Sequence, residues 1–254
     1  MNKKLIIANG CSMASGFECT KSAHQMEEDW NYAWPAKIAE HYNIKHINLS
    51  QAGQSNYSIS INLQSEILKR LKTTPAEDIL VLVGWTEFTR TEYITDNHCI
   101  NLNAGTAELV FKEGISKELN YIKSDIELGV KSWVRQSLDS HMNKFIWVYW
   151  GLIQFLENHN IKYFFFNAIT KPYCPDYNLL CFNTRTLEYI DSPSKDVWHR
   201  LINDKCYDTT NTQFDWLKTY WPDHTLGNGL GQKHWNPEAL DAWANYLIPK
   251  IDLI

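Results

Sequence analysis

A serine near the start of the chain is the residue whose surroundings most clearly indicate chemistry. Ser12 follows the apolar run 4–9 and Gly10, and small residues and Gly16 come after it. A buried strand that ends in this way brings a serine to the carboxyl edge of a parallel sheet, where α/β proteins bind their ligands. A serine nucleophile needs a base and oxyanion donors. The alternative is that Ser12 only caps a turn or a helix.

Three later segments can bring such groups to the same edge. The polar loop 50–56 contains Gly53 and follows a short apolar run, and a β-branched run ends at Gly84. His234 precedes a helix that is predicted to begin with Pro237 in its first turn. Because the carboxyl ends of parallel strands meet at one edge of a sheet, we expect the loops after the strands to lie beside Ser12.

The elements that position these residues are strands and helices in alternation. Apolar runs predict four strands, at 4–9, 46–49, 78–84 and 162–167. Helical spacing predicts helices that start near Pro35 and at Ser55, one long helix over 123–159, and a last helix after Asn236. This order predicts a flavodoxin-like three-layer α/β/α sandwich with a central parallel sheet.

We expect residues 1–254 to form a single domain, with insertions near 91–122 and 170–230. The first insertion is polar and predicts short strands or irregular loops. Prolines and polar residues in the second predict loops and short helices, with a lid as one role for them.

Composition excludes several classes of function. The 254 residues carry a net charge of −5 and 44% hydrophobic residues, so we expect a globular protein that does not bind nucleic acid. The first apolar run is too short for a signal peptide, and no segment is long enough to span a membrane, which predicts a cytoplasmic protein. The oligomeric state is left open.

No cofactor or metal is predicted, because phosphate-binding glycine loops and metal-binding histidine spacings are absent from the sequence. Six cysteines occur without a Cys-x-x-Cys pair, and we expect them to be reduced thiols. Cys11 is an alternative nucleophile that we rank below Ser12. The six are Cys11, Cys19, Cys99, Cys174, Cys181 and Cys206.

Four short motifs together resemble those of the SGNH (GDSL-like) hydrolases, in particular the divergent members that bacteriophages encode, which often carry Gly-Cys-Ser. The resemblance covers the whole chain, with the motifs in the family's order. They are Gly-Cys-Ser-Met-Ala-Ser-Gly at 10–16, Asn-Leu-Ser-Gln-Ala-Gly-Gln-Ser-Asn at 48–56, Gly-Trp-Thr-Glu at 84–87 and Gly-Gln-Lys-His at 231–234.

The resemblance implies an acyl-transfer site. It makes Ser12 the nucleophile and His234 the base, and it implies that the backbone N–H groups of Ser12 and Gly53 stabilise the oxyanion. Thr86 stands where the family has an asparagine that donates to the oxyanion, and its hydroxyl is a donor on a shorter arm. Asn56 is a possible substitute donor.

The acid behind the histidine is a second departure from the family. Gly231 stands where the resemblance would place an aspartate that orients the imidazole. Asp223 and Asp241 are the nearest acids in sequence, and a backbone carbonyl is the alternative. Glu87 keeps a carboxylate in the third motif, where we favour a structural role or a pairing with Arg90.

The function that these expectations favour is a serine esterase or deacylase acting on a small acyl ester, for example an acetyl ester of a carbohydrate. Two alternatives stay open. One is a degenerate fold of the same type that serves as a binding or structural module, for example in a virus particle. The other is an acyltransferase that uses the same Ser-His pair.

Overall fold

The computed structural model describes residues 3–16, 30–95, 99–103, 106–107, 110, 117–169, 193–202, 205–226 and 234–254. The strands are β1 (Leu5–Gly10), β2 (Lys45–Asn48), β3 (Ile79–Trp85), β4 (Thr91–Ile94), β5 (Cys99–Leu102), β6 (Lys162–Asn167), β7 (Tyr207–Thr212), β8 (Thr225–Leu226) and β9 (His234–Trp235). The α-helices are α1 (Ser12–Ser15), α2 (Trp34–Tyr42), α3 (Asn56–Arg70), α4 (Lys123–Val134), α5 (Leu138–Asn158), α6 (Pro193–Leu201), α7 (Gln213–Tyr220) and α8 (Pro237–Ile251). Two 3₁₀ helices cover Ala76–Asp78 and Lys117–Ile122.

Five strands form one parallel sheet in the order β2-β1-β3-β6-β7. The register pairs Gly10 of β1 with Gly84 of β3, so these two strands end side by side. The pairs β4–β5 and β8–β9 are separate antiparallel hairpins. This strand order is the flavodoxin-like one, with loops from neighbouring strands meeting at the carboxyl edge.

Alternate residues of the central strands pack into two cores. Ile7, Val81 and Val83 belong to a cluster with residues of α3 and α5. Ile6, Leu80 and Leu82 belong to a second cluster with residues of α2 and α8. Because β3 is buried along its whole length, its continuous apolar run is explained by helices on both faces. The predicted three-layer fold is confirmed.

The single helix predicted over 123–159 is wrong. The structure has two helices, α4 and α5, separated at 135–137. Ser137 takes an extended conformation and its side chain accepts a hydrogen bond from the Ser140 N–H, so it caps the start of α5. The apolar spacing continues across this break, which is why periodicity alone did not reveal it.

A further strand was missed within 170–230. β7 has the polar sequence Tyr-Asp-Thr-Thr-Asn-Thr and pairs with β6 at the edge of the sheet. Its Asp208 is buried, where it accepts a hydrogen bond from the Tyr246 hydroxyl and pairs with Lys250 at 3.1 Å. These long-range contacts stabilise the strand. Its tyrosine and threonines favour a strand, but its Asp and Asn and the lack of an apolar run conceal this preference in the sequence.

Candidate functional site

Ser12 lies in a tight strand-to-helix turn at the carboxyl edge of β1. A Cβ at Gly10 would lie 2.7 Å from the Ala14 Cβ and 3.0 Å from the Gly84 carbonyl oxygen. Only glycine therefore allows α1 to fold back this closely against the ends of β1 and β3. Ser12, the first residue of α1, is 6% exposed.

The backbone around Ser12 is held in place by hydrogen bonds to its carbonyl oxygen. The Ser12 carbonyl accepts hydrogen bonds from the Gly16 N–H and from the Ser15 hydroxyl, the latter at 3.2 Å. Gly16 ends the helix with φ +72°, a left-handed conformation that favours glycine. Within the described ranges the Ser12 hydroxyl makes no hydrogen bond. As the first residue of a helix, Ser12 also has an N–H without an intrahelical acceptor.

The loop after β2 lies beside α1. Asn48, the last residue of β2, donates from Nδ2 to the Ala14 carbonyl oxygen at 2.8 Å. Gly53 has φ +78°, so a side chain there would be strained. Ser55 then caps α3 by accepting a hydrogen bond from the Ser58 N–H. The structure thus puts the loop of Gly53 at the same sheet edge as Ser12.

Asn56 joins this loop to the loop after β3. Its Oδ1 accepts from the Thr86 N–H at 2.9 Å, and its Nδ2 donates to the carbonyl oxygens of Thr86 at 3.4 Å and Glu87 at 3.3 Å. The Asn56 side chain therefore fixes the backbone that carries Thr86. Its role as a substitute oxyanion donor stays a prediction, and its amide is already engaged with that backbone.

Thr86 brings a buried hydroxyl to this edge. Its Oγ1 is inaccessible to solvent and, in the described part of the chain, has no hydrogen-bond partner. Because the Thr86 N–H is bound to Asn56, the hydroxyl is the donor that this residue can offer to a ligand.

The acids that the sequence offered as supporting residues are occupied or exposed. Glu87 pairs with Arg90 at 3.0 Å, in agreement with the structural role that we favoured. Asp241 is exposed on α8 and accepts a hydrogen bond from Asn245 at 3.2 Å. Asp223 is exposed in the turn after α7.

His234 begins β9, the strand of the short hairpin that precedes α8. Its backbone pairs with Leu226 of β8, and its side chain and Gly231 lie outside the described residues. The next residue, Trp235, is buried and donates from Nε1 to the Trp221 carbonyl oxygen at 3.2 Å. The role of His234 as the base stays a prediction.

Gln213 is a residue that the sequence gave no reason to select. It begins α7 directly after β7, is fully buried, and its Nε2 lies 3.4 Å from the carbonyl oxygen of Met13. The next residue, Phe214, packs edge-to-face against Trp235 with ring centroids 5.3 Å apart. Gln213 therefore lies between the Ser12 turn and the strand that carries His234. A lone glutamine in a polar segment has no local signal for such a position.

In the described part of the chain, some buried side-chain polar atoms have no hydrogen-bond partner. Four of them belong to residues in the segments after β2, β3 and β7, namely Ser50 Oγ, Gln54 Nε2, Thr86 Oγ1 and Gln213 Oε1, and the others are Nε1 atoms of Trp30, Trp34, Trp85 and Trp243. Gln54 Oε1 accepts from the Gln51 N–H at 3.2 Å, which sets the orientation of the amide. Buried polar groups are almost always paired in folded proteins, so these unpaired atoms call for an explanation such as a bound water or ligand.

The structure gives Cys11 a different environment from Ser12. The Cys11 side chain is fully buried in the apolar cluster between the sheet and helices α2 and α8. In the described ranges, no group of three His, Cys, Asp or Glu side chains could hold a metal ion. None of the helices in those ranges is both long and apolar enough to cross a membrane.

The comparisons with known proteins found similarity to solved structures, and to no family model or curated protein. A protein described as a lipolytic member of the G-D-S-L family, from Desulfitobacterium hafniense DCB-2, is 12% identical with a TM-score of 0.46, covering 98% of this chain and 99% of its own. An acetyl xylan esterase is 11% identical with a TM-score of 0.46, covering 96% and 97%. TesA is 12% identical with a TM-score of 0.45, covering 99% and 100%. The function of this chain must therefore be argued from its own residues.

Proposed function

We propose that the chain is a serine ester hydrolase of SGNH type that removes a small acyl group, such as acetyl, from an ester. The observation that supports this most is that, among the described residues, Ser50, Gln54, Thr86 and Gln213 carry buried polar atoms without partners in the segments that follow β2, β3 and β7. Keeping a buried polar group unpaired costs about 1–3 kcal/mol. A polar group bound at this edge would pair these atoms and offset this cost.

In the proposed reaction, His234 takes the hydroxyl proton of Ser12 as the serine oxygen attacks the acyl carbonyl carbon. The resulting oxyanion accepts hydrogen bonds from the N–H groups of Ser12 and Gly53 and from the Thr86 hydroxyl. The alcohol leaves with the proton that His234 held. Water then attacks the acyl-enzyme, again with His234 as base, and releases the acid and free Ser12.

The substrate class is part of the proposal. A small acyl ester, such as an acetyl ester of a carbohydrate, agrees with the resemblance of the four sequence motifs. A cytoplasmic location and a bacteriophage-type origin are likewise proposals that follow from the sequence. The acid or carbonyl that orients His234 is left open, since Glu87 is paired with Arg90 and Asp241 with Asn245.

The test is hydrolysis of 4-nitrophenyl acetate together with labelling by a fluorophosphonate probe. We expect Ser12→Ala to abolish labelling and to lower kcat/KM by about a thousandfold or more, because the nucleophile is lost. Cys11→Ala is the control, and we expect it to keep both probe labelling and ester hydrolysis. Equal hydrolysis by wild type and Ser12→Ala would overturn the proposal, and labelling that is lost with Cys11→Ala alone would identify the thiol instead.

The same experiment separates the alternatives. A folded wild-type protein that neither labels nor hydrolyses the ester would favour a binding or structural module. Labelling followed by faster transfer to an added alcohol than to water would favour an acyltransferase. Either result contradicts an ester hydrolase.

A further inference from the structure

A cavity lies between the start of α3, strand β4 and helix α5, and Ser12 is not among its lining residues. Its volume is about 380 Å³, within the range of pockets that bind small molecules. Side chains from these three elements and from the turn after β3 line it. They are Asn56, Tyr57, Phe88, Arg90, Thr91, Glu92, Ile94, His141, Lys144, Phe145, Trp147 and Val148.

Two large aromatic side chains of this lining are turned to solvent. Trp147 is 73% exposed and Tyr57 is 54% exposed. Ile94, on β4, is also exposed. An exposed indole and phenol beside a concave surface offer flat apolar faces to a ligand, together with the polar tips of the rings.

The charged groups of the lining have both signs. Glu92 is anchored by the hydroxyls of Ser55 and Ser58 at the start of α3. Lys144 is exposed on α5 and donates to Gln136 Oε1 at 2.6 Å. Arg90 is buried and paired with Glu87. An anionic ligand would meet Glu92 and a cationic one would meet Lys144, whereas a hydrocarbon chain would offer no hydrogen bond to either charge.

A neutral ligand with an apolar face and a rim of hydroxyl groups fits this lining best. Hydroxyls donate to the Glu92 carboxylate and accept from the Lys144 ammonium, while C–H groups pack on the Trp147 ring. A sugar ring has this combination. We propose that the cavity is a saccharide-binding site in which Trp147 supplies the stacking surface.

This site is separate from the proposed ester chemistry, since it contains neither Ser12 nor Thr86. It adjoins the candidate site through Asn56, which lines the cavity and also holds the Thr86 N–H. The inference does not rest on the proposed function, and it is tested by binding alone.

The chain offers a matched pair of tryptophans for the test. Trp150 lies on the same helix three residues after Trp147, is 39% exposed, and is not part of the lining. We expect xylopentaose, cellopentaose or chitopentaose to bind wild type in isothermal titration calorimetry and to change its tryptophan fluorescence. Trp147→Ala should weaken this binding about tenfold, because the stacking surface is lost. Trp147→Tyr should restore most of it, and Trp150→Ala should bind as wild type does.

Several results would overturn the saccharide site. They are no binding of any of the three pentasaccharides to wild type, equal binding by wild type and Trp147→Ala, and equal weakening by Trp150→Ala. Because Trp147 is exposed, its substitution is not expected to impair folding, and circular dichroism checks this. The Ser12→Ala protein should bind the saccharide like wild type, so failure of the esterase proposal and failure of this site are distinguishable.

Discussion

Asn56 holds Thr86 in place across the boundary between two loops, through a hydrogen bond of 2.9 Å from the Thr86 N–H to Asn56 Oδ1. Both residues are buried. The bond ties the start of α3 to the end of β3, so the loops after β2 and β3 keep a fixed relative position. If Thr86 donates to an oxyanion, the position of that donor depends on the Asn56 amide.

Replacement of Asn56 by alanine tests this tie. Asn56→Ala leaves the buried N–H of Thr86 without its partner, so we expect the free energy of unfolding to fall by about 1–3 kcal/mol. Urea denaturation measures it. The control is Asn245→Ala, whose amide contacts exposed Asp241 on α8, and whose effect should stay within about 0.5 kcal/mol. Equal effects of the two substitutions would contradict the role of Asn56.

Two glycines give opposite predictions for the same substitution. Gly10→Ala places a Cβ 2.7 Å from the Ala14 Cβ, so α1 must shift, and we expect a loss of about 1–3 kcal/mol. Gly151 lies inside α5 with no atom within 4 Å of its added Cβ, so Gly151→Ala should gain about 0.5–1 kcal/mol from helix propensity. Thermal or chemical unfolding measures the stability of the two variants relative to wild type. A Gly10→Ala protein as stable and as reactive at Ser12 as wild type would contradict the close approach of α1 to β3.

The stability should depend on pH through a buried histidine. Burial lowers the pKa of His141 to about 4, and the nearby positive charge of Lys144 also lowers it, against a hydrogen bond to the Trp133 carbonyl that raises it. Arg90 and Glu92 line the same cavity. The unfolded chain takes up this proton at about pH 6.5 and the folded chain only at about pH 4. Acidification across this window therefore favours the unfolded state, by roughly 3 kcal/mol in all.

Denaturation of wild type and His141→Gln across that pH window measures the effect. The stability difference between the two should shift by roughly 3 kcal/mol in favour of the variant on acidification. Parallel pH curves for wild type and His141→Gln would show that this buried imidazole does not contribute.

The strands of the sheet could be predicted where a buried strand has a continuous apolar run in the sequence. The apolar run 78–84 predicted β3 because a strand that is covered on both faces needs apolar residues at nearly every position. β7 could not be predicted in this way. Its polar residues become a strand through pairing with β6 and through the buried contacts of Asp208 with Tyr246 and Lys250.

The candidate site likewise has a part that the sequence predicts and a part that it does not. The turn that carries Ser12 was predictable because its geometry depends on glycines next to it in sequence. The support around it was not, because it comes from distant parts of the chain. Gln213 contacts Met13 across 200 residues, and Asn56 contacts the Thr86 backbone across 30. Neither pairing leaves a periodic or local pattern in the sequence.

The unpaired hydroxyl of Thr86 gives a test that separates function from stability. Thr86→Val keeps the shape of the side chain and removes a buried oxygen that has no partner in the described part of the chain. We therefore expect the free energy of unfolding to stay equal or to rise by about 1 kcal/mol. If the hydroxyl donates to the oxyanion, kcat for 4-nitrophenyl acetate should fall about a hundredfold.

The matched control is another buried threonine whose hydroxyl has partners. Thr212 caps α7 by accepting from the Asp215 N–H, and its hydroxyl donates to Asp215 Oδ2 at 2.7 Å. Thr212→Val should therefore cost about 1–2 kcal/mol of stability, because the cap is lost. Thr86→Val and Thr212→Val thus differ in the sign of their effect on stability. A Thr86→Val protein that is fully active would exclude its hydroxyl as an oxyanion donor, and one that is strongly destabilised would indicate a structural hydrogen bond instead.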